Sequence, residues 1–171
     1  MIADGRETKA MRLATEVIDE LRAVDGTLAA AESLTGGGVC ATLTGIPGAS
    51  DVVVGCVVSY ATAVKRDILG VDADLLSRRG AVDAEVAEQM ARGVADLLGT
   101  DWAVATTGSA GPEPAPGGSE TEPVEPGMVF LAIHSPYATW VEQVRFAGDR
   151  DAIRTSTIEA ALQALLRTLR R

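Results

Sequence analysis

The sequence predicts an α/β fold: a single three-layer α/β/α sandwich around a mixed, mostly parallel sheet. Three observations carry this. Strand-like and helix-like patterns alternate along the 171 residues, as they do where helices cover both faces of one sheet. The run Asp51–Tyr60, "DVVVGCVVSY", is the continuous valine-rich stretch that a strand buried on both faces requires. Two late strand-like runs are joined by a short turn containing Pro136. That link is too short for a parallel crossover, so the pair is antiparallel and the sheet mixed.

The elements follow in order. Glu7 to Val24 reads as a helix, with Ala14, Val17, Ile18 and Leu21 on one apolar stripe. Thr27 to Ala31 is a short strand, and Thr35 to Leu43 a helix opened by glycines. After the valine strand, Ala61 to Leu69 is a short helix stopped by Gly70, and Asp72 to Arg79 a helical turn or two. Asp83 to Leu98 is an amphipathic helix, with Val86, Met90, Val94 and Leu97 on one face and Asp83 as its N-cap. Trp102–Thr107, Met128–His134 and Thr139–Phe146 are strands, and the last helix runs from about Asp151 to Leu169. Gly108 to Gly127, "GSAGPEPAPGGSETEPVEPG", is out of character: rich in Pro, Gly and acid, and long for a connection. Such a loop is either a mobile lid or a solvated insertion.

Composition narrows the class. One domain is expected over residues 1–171, with an aliphatic core, since 47% of residues are hydrophobic but only 4% aromatic. No apolar run reaches the roughly 18 residues of a membrane span. Asp4 and Glu7 stand where a secretory signal would need an apolar segment, so the expected compartment is the cytoplasm. A net charge of −9 opposes the phosphate neutralisation on which nucleic-acid binding depends. Cys40 and Cys56 show neither metal spacing nor a disulfide framework. Lysine chemistry, if there is any, comes from Lys9 or Lys65.

The stretch "AAESLTGGG", Ala30–Gly38, is the chemical focus. Ser33 lies beyond the carboxyl end of a strand, where α/β sheets bind ligands. The amides of the turn at Thr35, Gly36 and Gly37 suit an anion: a substrate phosphate, or the oxyanion formed when Ser33 attacks a carbonyl. The plainer reading is that Ser33 or Thr35 caps the helix. Activating the serine needs a base. His134 sits mid-strand, where packing is the usual role, and no ligand cluster for zinc exists. Lys65 lies at another strand-to-helix junction, "SYATAVKRDILG", and serves as a base if burial lowers its pKa from about 10.4. Tyr60 then relays a proton or donates a hydrogen bond. The alternative is a solvated lysine and a strand-end tyrosine. Arg150 and Arg154 flank the start of the last helix, either as a phosphate anchor or as neighbours of an Asp149 cap, with Arg154 exposed. Cys40 or Cys56 as nucleophile is a further option, against the commoner role of buried cysteine as core packing.

The chain resembles the CinA carboxy-terminal domain family, which includes stand-alone nicotinamide mononucleotide deamidases. The resemblance runs from about Leu13 to Leu166. It rests on "AAESLTGG" at Ala30–Gly37, "VVSYATAVKRDILGV" at Val57–Val71, "RGAVDAEVAEQMARG" at Arg79–Gly93, "TGSAGP" at Thr107–Pro112 and "FAGDRDAIR" at Phe146–Arg154. It implies Ser33 as nucleophile, Lys65 as its base and Tyr60 as a supporting hydroxyl, with Thr107 and Gly108 lining the same pocket. The implied reaction is hydrolysis of the nicotinamide carboxamide to nicotinate mononucleotide and ammonia, with no metal and no cofactor. Many members are dimers, so a homodimer or higher homo-oligomer is expected. The binding partner implied is a small pyridine nucleotide, not nucleic acid or membrane. Thr62 stands where the family usually has asparagine, "EPAP" separates Pro112 from Gly117, and Glu122 replaces a frequent lysine. A carboxylate there would weaken the hold on an anionic phosphate. The alternative from another class is a catalytically silent nucleotide-binding or regulatory module, which would have no need of Lys65.

Overall fold

A computed structural model describes residues 8–171. The helices are α1 (Lys9–Ala23), α2 (Gly38–Thr44), α3 (Thr62–Asp67), α4 (Ala73–Arg79), α5 (Ala84–Leu98) and α6 (Arg150–Leu169). The strands are β1 (Leu28–Glu32), β2 (Val53–Val58), β3 (Trp102–Gly108), β4 (Met128–His134) and β5 (Thr139–Arg145). Asp4, and Glu7 as the first residue of the first helix, lie outside the described residues.

The sheet order is β2-β1-β3-β4-β5. β1 pairs parallel with β2 and β3, whereas β4 pairs antiparallel with both β3 and β5. The sheet is therefore mixed, with two parallel and two antiparallel pairings, less parallel than expected, although only β4 runs against the other four strands. The reason lies in residues 108–127. This segment contains no crossover helix, so the chain stays at the carboxyl end of β3 and must run back along it.

Alternation along β1 separates the two layers. Leu28 and Ala30 join the core under α1, α2 and α6; Ala29 and Ala31 join the one under α5. The stripe Ala14, Val17, Ile18 and Leu21 of α1 is wholly buried. On α5, Val86, Met90 and Val94 are buried, but Leu97 is 51% exposed and Ala87, Ala91 and Ala95 complete the face instead. A helix face this rich in alanine sits close to the alanines of β1 and β3, which accounts for the small side chains on both. Asp83 caps α5 as its position suggests, accepting from Glu85 N at 2.8 Å. No helix among the described residues is long and apolar enough to cross a membrane.

The Gly108–Gly127 segment is tied down. Ala115 and Val124 exchange backbone hydrogen bonds, and Ser119 N and Glu120 N donate to Ser77 O and Arg78 O at the end of α4. Its backbone finds partners on α4 that composition does not reveal.

Candidate active site

The site lies at the carboxyl ends of β1, β2 and β3. Ser33 follows β1 directly, and the ladder extends past the strand ends: Ser33 N donates to Thr106 O at 2.9 Å and Ser59 N to Glu32 O at 2.8 Å. The backbones of Ser33 and Ser59 are thus fixed by the sheet. Alternation turns Glu32 toward α2 and Ser33 toward the layer of α3, α4 and α5.

Lys65 on α3 reaches into that layer and is fully buried. Its Nζ lies 3.0 Å from Ser33 Oγ and also donates to the carbonyl of Ser59. It forms no ion pair among the described residues. Burial without a counter-charge disfavours the ammonium and pushes its pKa down from 10.5 to about 8. At pH 7 about a tenth is then the free amine, far more than an unperturbed lysine offers, with its lone pair available to the serine proton.

A cavity of about 290 Å³ opens onto this pair. Its walls include Ser33, Tyr60, Lys65, Thr107, Gly108 and Arg150 from the sequence-predicted set. Thr107 Oγ1 donates to Ala81 O at 2.6 Å and so braces the wall. Tyr60 is 63% exposed at the rim, and its hydroxyl accepts from Arg150 at 3.0 Å; it is bonded to neither Ser33 nor Lys65. Arg150 also donates to Gly111 O at 2.7 Å, which aims its guanidinium along the cavity mouth.

Thr35, Gly36, Gly37 and Arg154 do not line the cavity. Of the three amides expected to hold a substrate anion, those of Gly36 and Gly37 are already used. Glu32 is fully buried, and its carboxylate accepts from the amides of Gly37 and Val39, both at 3.0 Å, and of Cys40 at 2.8 Å. Gly36 N donates to Ser33 O. The protein's own carboxylate therefore fills the helix N-terminus. The positive φ of Gly36 (62°) and Gly37 (94°) lets the chain double back far enough for this. Thr35 Oγ1 pairs with Thr106 Oγ1 at 2.8 Å. Arg154 donates to Leu34 O and Thr35 O, both at 3.1 Å, so it braces the serine loop from behind. Asp149 is the cap of α6, accepting from Ala152 N at 2.9 Å.

The sequence reading missed three groups. Glu32 is one; its signal was a lone carboxylate ending an apolar strand. Ser109 lines the cavity, as does Glu113 from the "EPAP" insertion. Glu122 is exposed and lies outside the lining, whereas Thr62 is part of it. The other nucleophile candidates lie elsewhere. His134 is bonded to Thr139 at 2.9 Å at the opposite end of β4. Neither cysteine lines the cavity, and burial, with Glu32 and Cys40 alongside, pushes the Cys56 thiol up, away from the reactive thiolate. No group of three or more His, Cys, Asp or Glu among the described residues is placed to hold a metal.

Comparison with known proteins gives one consistent family. The model of the CinA C-terminal domain matches residues 10–169. A CinA-like protein of Synechococcus sp. (strain CC9311) is 49% identical over 138 residues, which is 81% of this chain and 31% of that protein. A CinA-like protein of Geobacter sulfurreducens is 43% identical over 169 residues, 99% of this chain and 39% of that protein. The chain thus spans between about a third and two fifths of the length of these relatives. Among solved structures, competence/damage inducible protein CihA from Agrobacterium tumefaciens superposes with a TM-score of 0.87 at 35% identity, covering 98% of this chain and 99% of that one. Competence damage-inducible protein A from Klebsiella pneumoniae gives 0.88 at 31% identity, covering 95% and 98%.

Proposed function

The chain belongs to the CinA C-terminal domain family, and we propose that it is a serine amidohydrolase that converts nicotinamide mononucleotide to nicotinate mononucleotide and ammonia. The observation that carries this reading is the 3.0 Å approach of Ser33 Oγ to a buried Lys65 amine whose pKa is lowered to about 8. A lysine kept without a counter-charge is costly to fold around, and a base for serine repays that cost.

The proposed steps use these contacts. Neutral Lys65 takes the Ser33 proton as Oγ attacks the carboxamide carbon, giving a tetrahedral oxyanion. The carbon–nitrogen bond breaks, and the leaving nitrogen takes the proton from Lys65 and departs as ammonia. Water then attacks the ester on Ser33, with Lys65 accepting its proton and returning it to Oγ. The Ser59 carbonyl holds the ammonium of Lys65 between the half-reactions. No step needs a metal, because the lysine is the base. Arg150 faces the cavity mouth and supplies the cation for the substrate phosphate.

The test is ammonia release by the purified protein from nicotinamide mononucleotide, nicotinamide and unrelated amides. Release from the nucleotide well above the others is expected. Tight nucleotide binding with no ammonia from any of them would make the domain a binding module instead.

A further inference from the structure

With the Gly37, Val39 and Cys40 amides held by Glu32 and the Gly36 amide by Ser33 O, a donor for the oxyanion of the proposed reaction is sought elsewhere in the cavity wall. Most buried hydroxyls at this end of the sheet are committed. Ser33 faces Lys65, and Thr35 and Thr106 bond to each other at 2.8 Å. Ser59 donates to Glu32 O at 3.4 Å and Thr107 to Ala81 O at 2.6 Å. Ser109 stands apart. The residue is 3% exposed and lines the cavity, and its buried Oγ has no hydrogen-bond partner among the described residues.

Its backbone is fixed. Ser109 N donates to Met128 O at 2.9 Å, and Ser109 O accepts from Gly127 N at 2.7 Å. The hydroxyl can rotate but cannot leave. Two residues past Thr107 on the continued ladder, it falls in the same row on the cavity side. A buried hydroxyl without a partner destabilises the free protein and is retained where a ligand supplies that partner.

We infer that Ser109 is a substrate-binding residue, whose hydroxyl donates to the carbonyl oxygen of the bound carboxamide and to the oxyanion that develops there. This rests on the amide-hydrolysis reading, and it adds a residue to which neither the sequence nor the family resemblance gives a role. Removing an unpartnered hydroxyl should help the empty protein and harm only the loaded one.

The experiment compares wild type with Ser109→Ala, and Ser33→Ala with Ser33→Ala/Ser109→Ala. Ser109→Ala is expected to melt higher than wild type without ligand. Its kcat/KM should fall at least tenfold, toward the factor of about 10²–10³ seen when an oxyanion donor is lost. Nicotinamide mononucleotide should bind the double variant at least threefold more weakly than Ser33→Ala. A melting temperature equal to or below wild type overturns the inference, because the hydroxyl then has a partner in the free protein. So does a higher melting temperature with kcat/KM and Kd both within twofold of their references. Failure of the parent reading looks different: wild type then releases no ammonia, whether or not Ser33→Ala binds nicotinamide mononucleotide, and the inference falls with it.

Discussion

Lys65→Met isolates the energetic consequence of burying a lysine without a counter-ion. In the folded protein its pKa is held near 8, against 10.5 for the free side chain. Below about pH 8 both the folded and the unfolded chain carry the proton, and the folded chain bears the full burden of a buried ammonium. Between about 8 and 10.5 the unfolded chain binds more protons than the folded one, so stability rises with pH across that window. Above about 10.5 both are neutral and the burden is gone. At 1.36 kcal/mol per pH unit, the gain is about 3 kcal/mol. Methionine keeps most of the stem and titrates nowhere, so subtracting its curve removes other groups that titrate in the same range. The assay is urea unfolding of both proteins from pH 7 to 10.5 at constant ionic strength. Wild type should gain about 3 kcal/mol relative to Lys65→Met over that range. At pH 7 the variant should be of similar or greater stability, since relief of the charge offsets the lost bonds to Ser59 O and Ser33 Oγ. A difference that stays flat with pH would refute the reasoning, because Lys65 would then titrate as it does in the unfolded chain.

Other consequences follow from the same contacts. The kcat/KM profile should rise with loss of one proton near pH 8 and then level off, as free amine replaces ammonium; a flat profile from pH 6 to 9 would contradict a lysine base. Glu32→Gln keeps one acceptor oxygen for three amides, so unfolding free energy should drop by about 2–4 kcal/mol, read by urea titration. Arg150→Ala should raise KM about tenfold or more with kcat little changed, whereas Arg154→Ala should lower the melting temperature and act on kcat through the serine loop.

The layers and most element boundaries were legible because hydrophobic period and caps are local. Asp83, the α1 stripe and the β4–β5 turn all behave as their neighbours in sequence dictate. The direction of β4 relative to β3 was not, since it depends on where residues 108–127 travel. Those residues read as a lid from composition, yet their backbone bonds to Ser77 and Arg78 are non-local. Ser33, Lys65 and Arg150 were singled out by motif and by lysine scarcity, and the fold brings them to one cavity. In sequence Gly36 and Gly37 look like an anion cradle, because helix amides look alike there whatever fills them. Ser33 O takes the Gly36 amide, and Glu32, one residue before the serine and turned to the other face by strand alternation, takes that of Gly37. Arg150 and Arg154 sit four residues apart on one helix, and only the three-dimensional placement of the Leu34–Thr35 carbonyls decides which one reaches the cavity. Ser109 leaves no pattern in a single sequence, since its distinguishing property is the lack of a partner.

The most direct test of the Ser33–Lys65 account is ammonia release from nicotinamide mononucleotide by purified Ser33→Ala, with binding measured on the same preparation. The variant loses the attacking oxygen and keeps Arg150, Ser109 and the Glu32-capped loop in place. The account predicts nucleotide affinity close to wild type and loss of nearly all ammonia release, with Ser33→Ala/Lys65→Met little worse than the worse single variant. Full wild-type turnover by Ser33→Ala would contradict it and remove the serine from the chemistry.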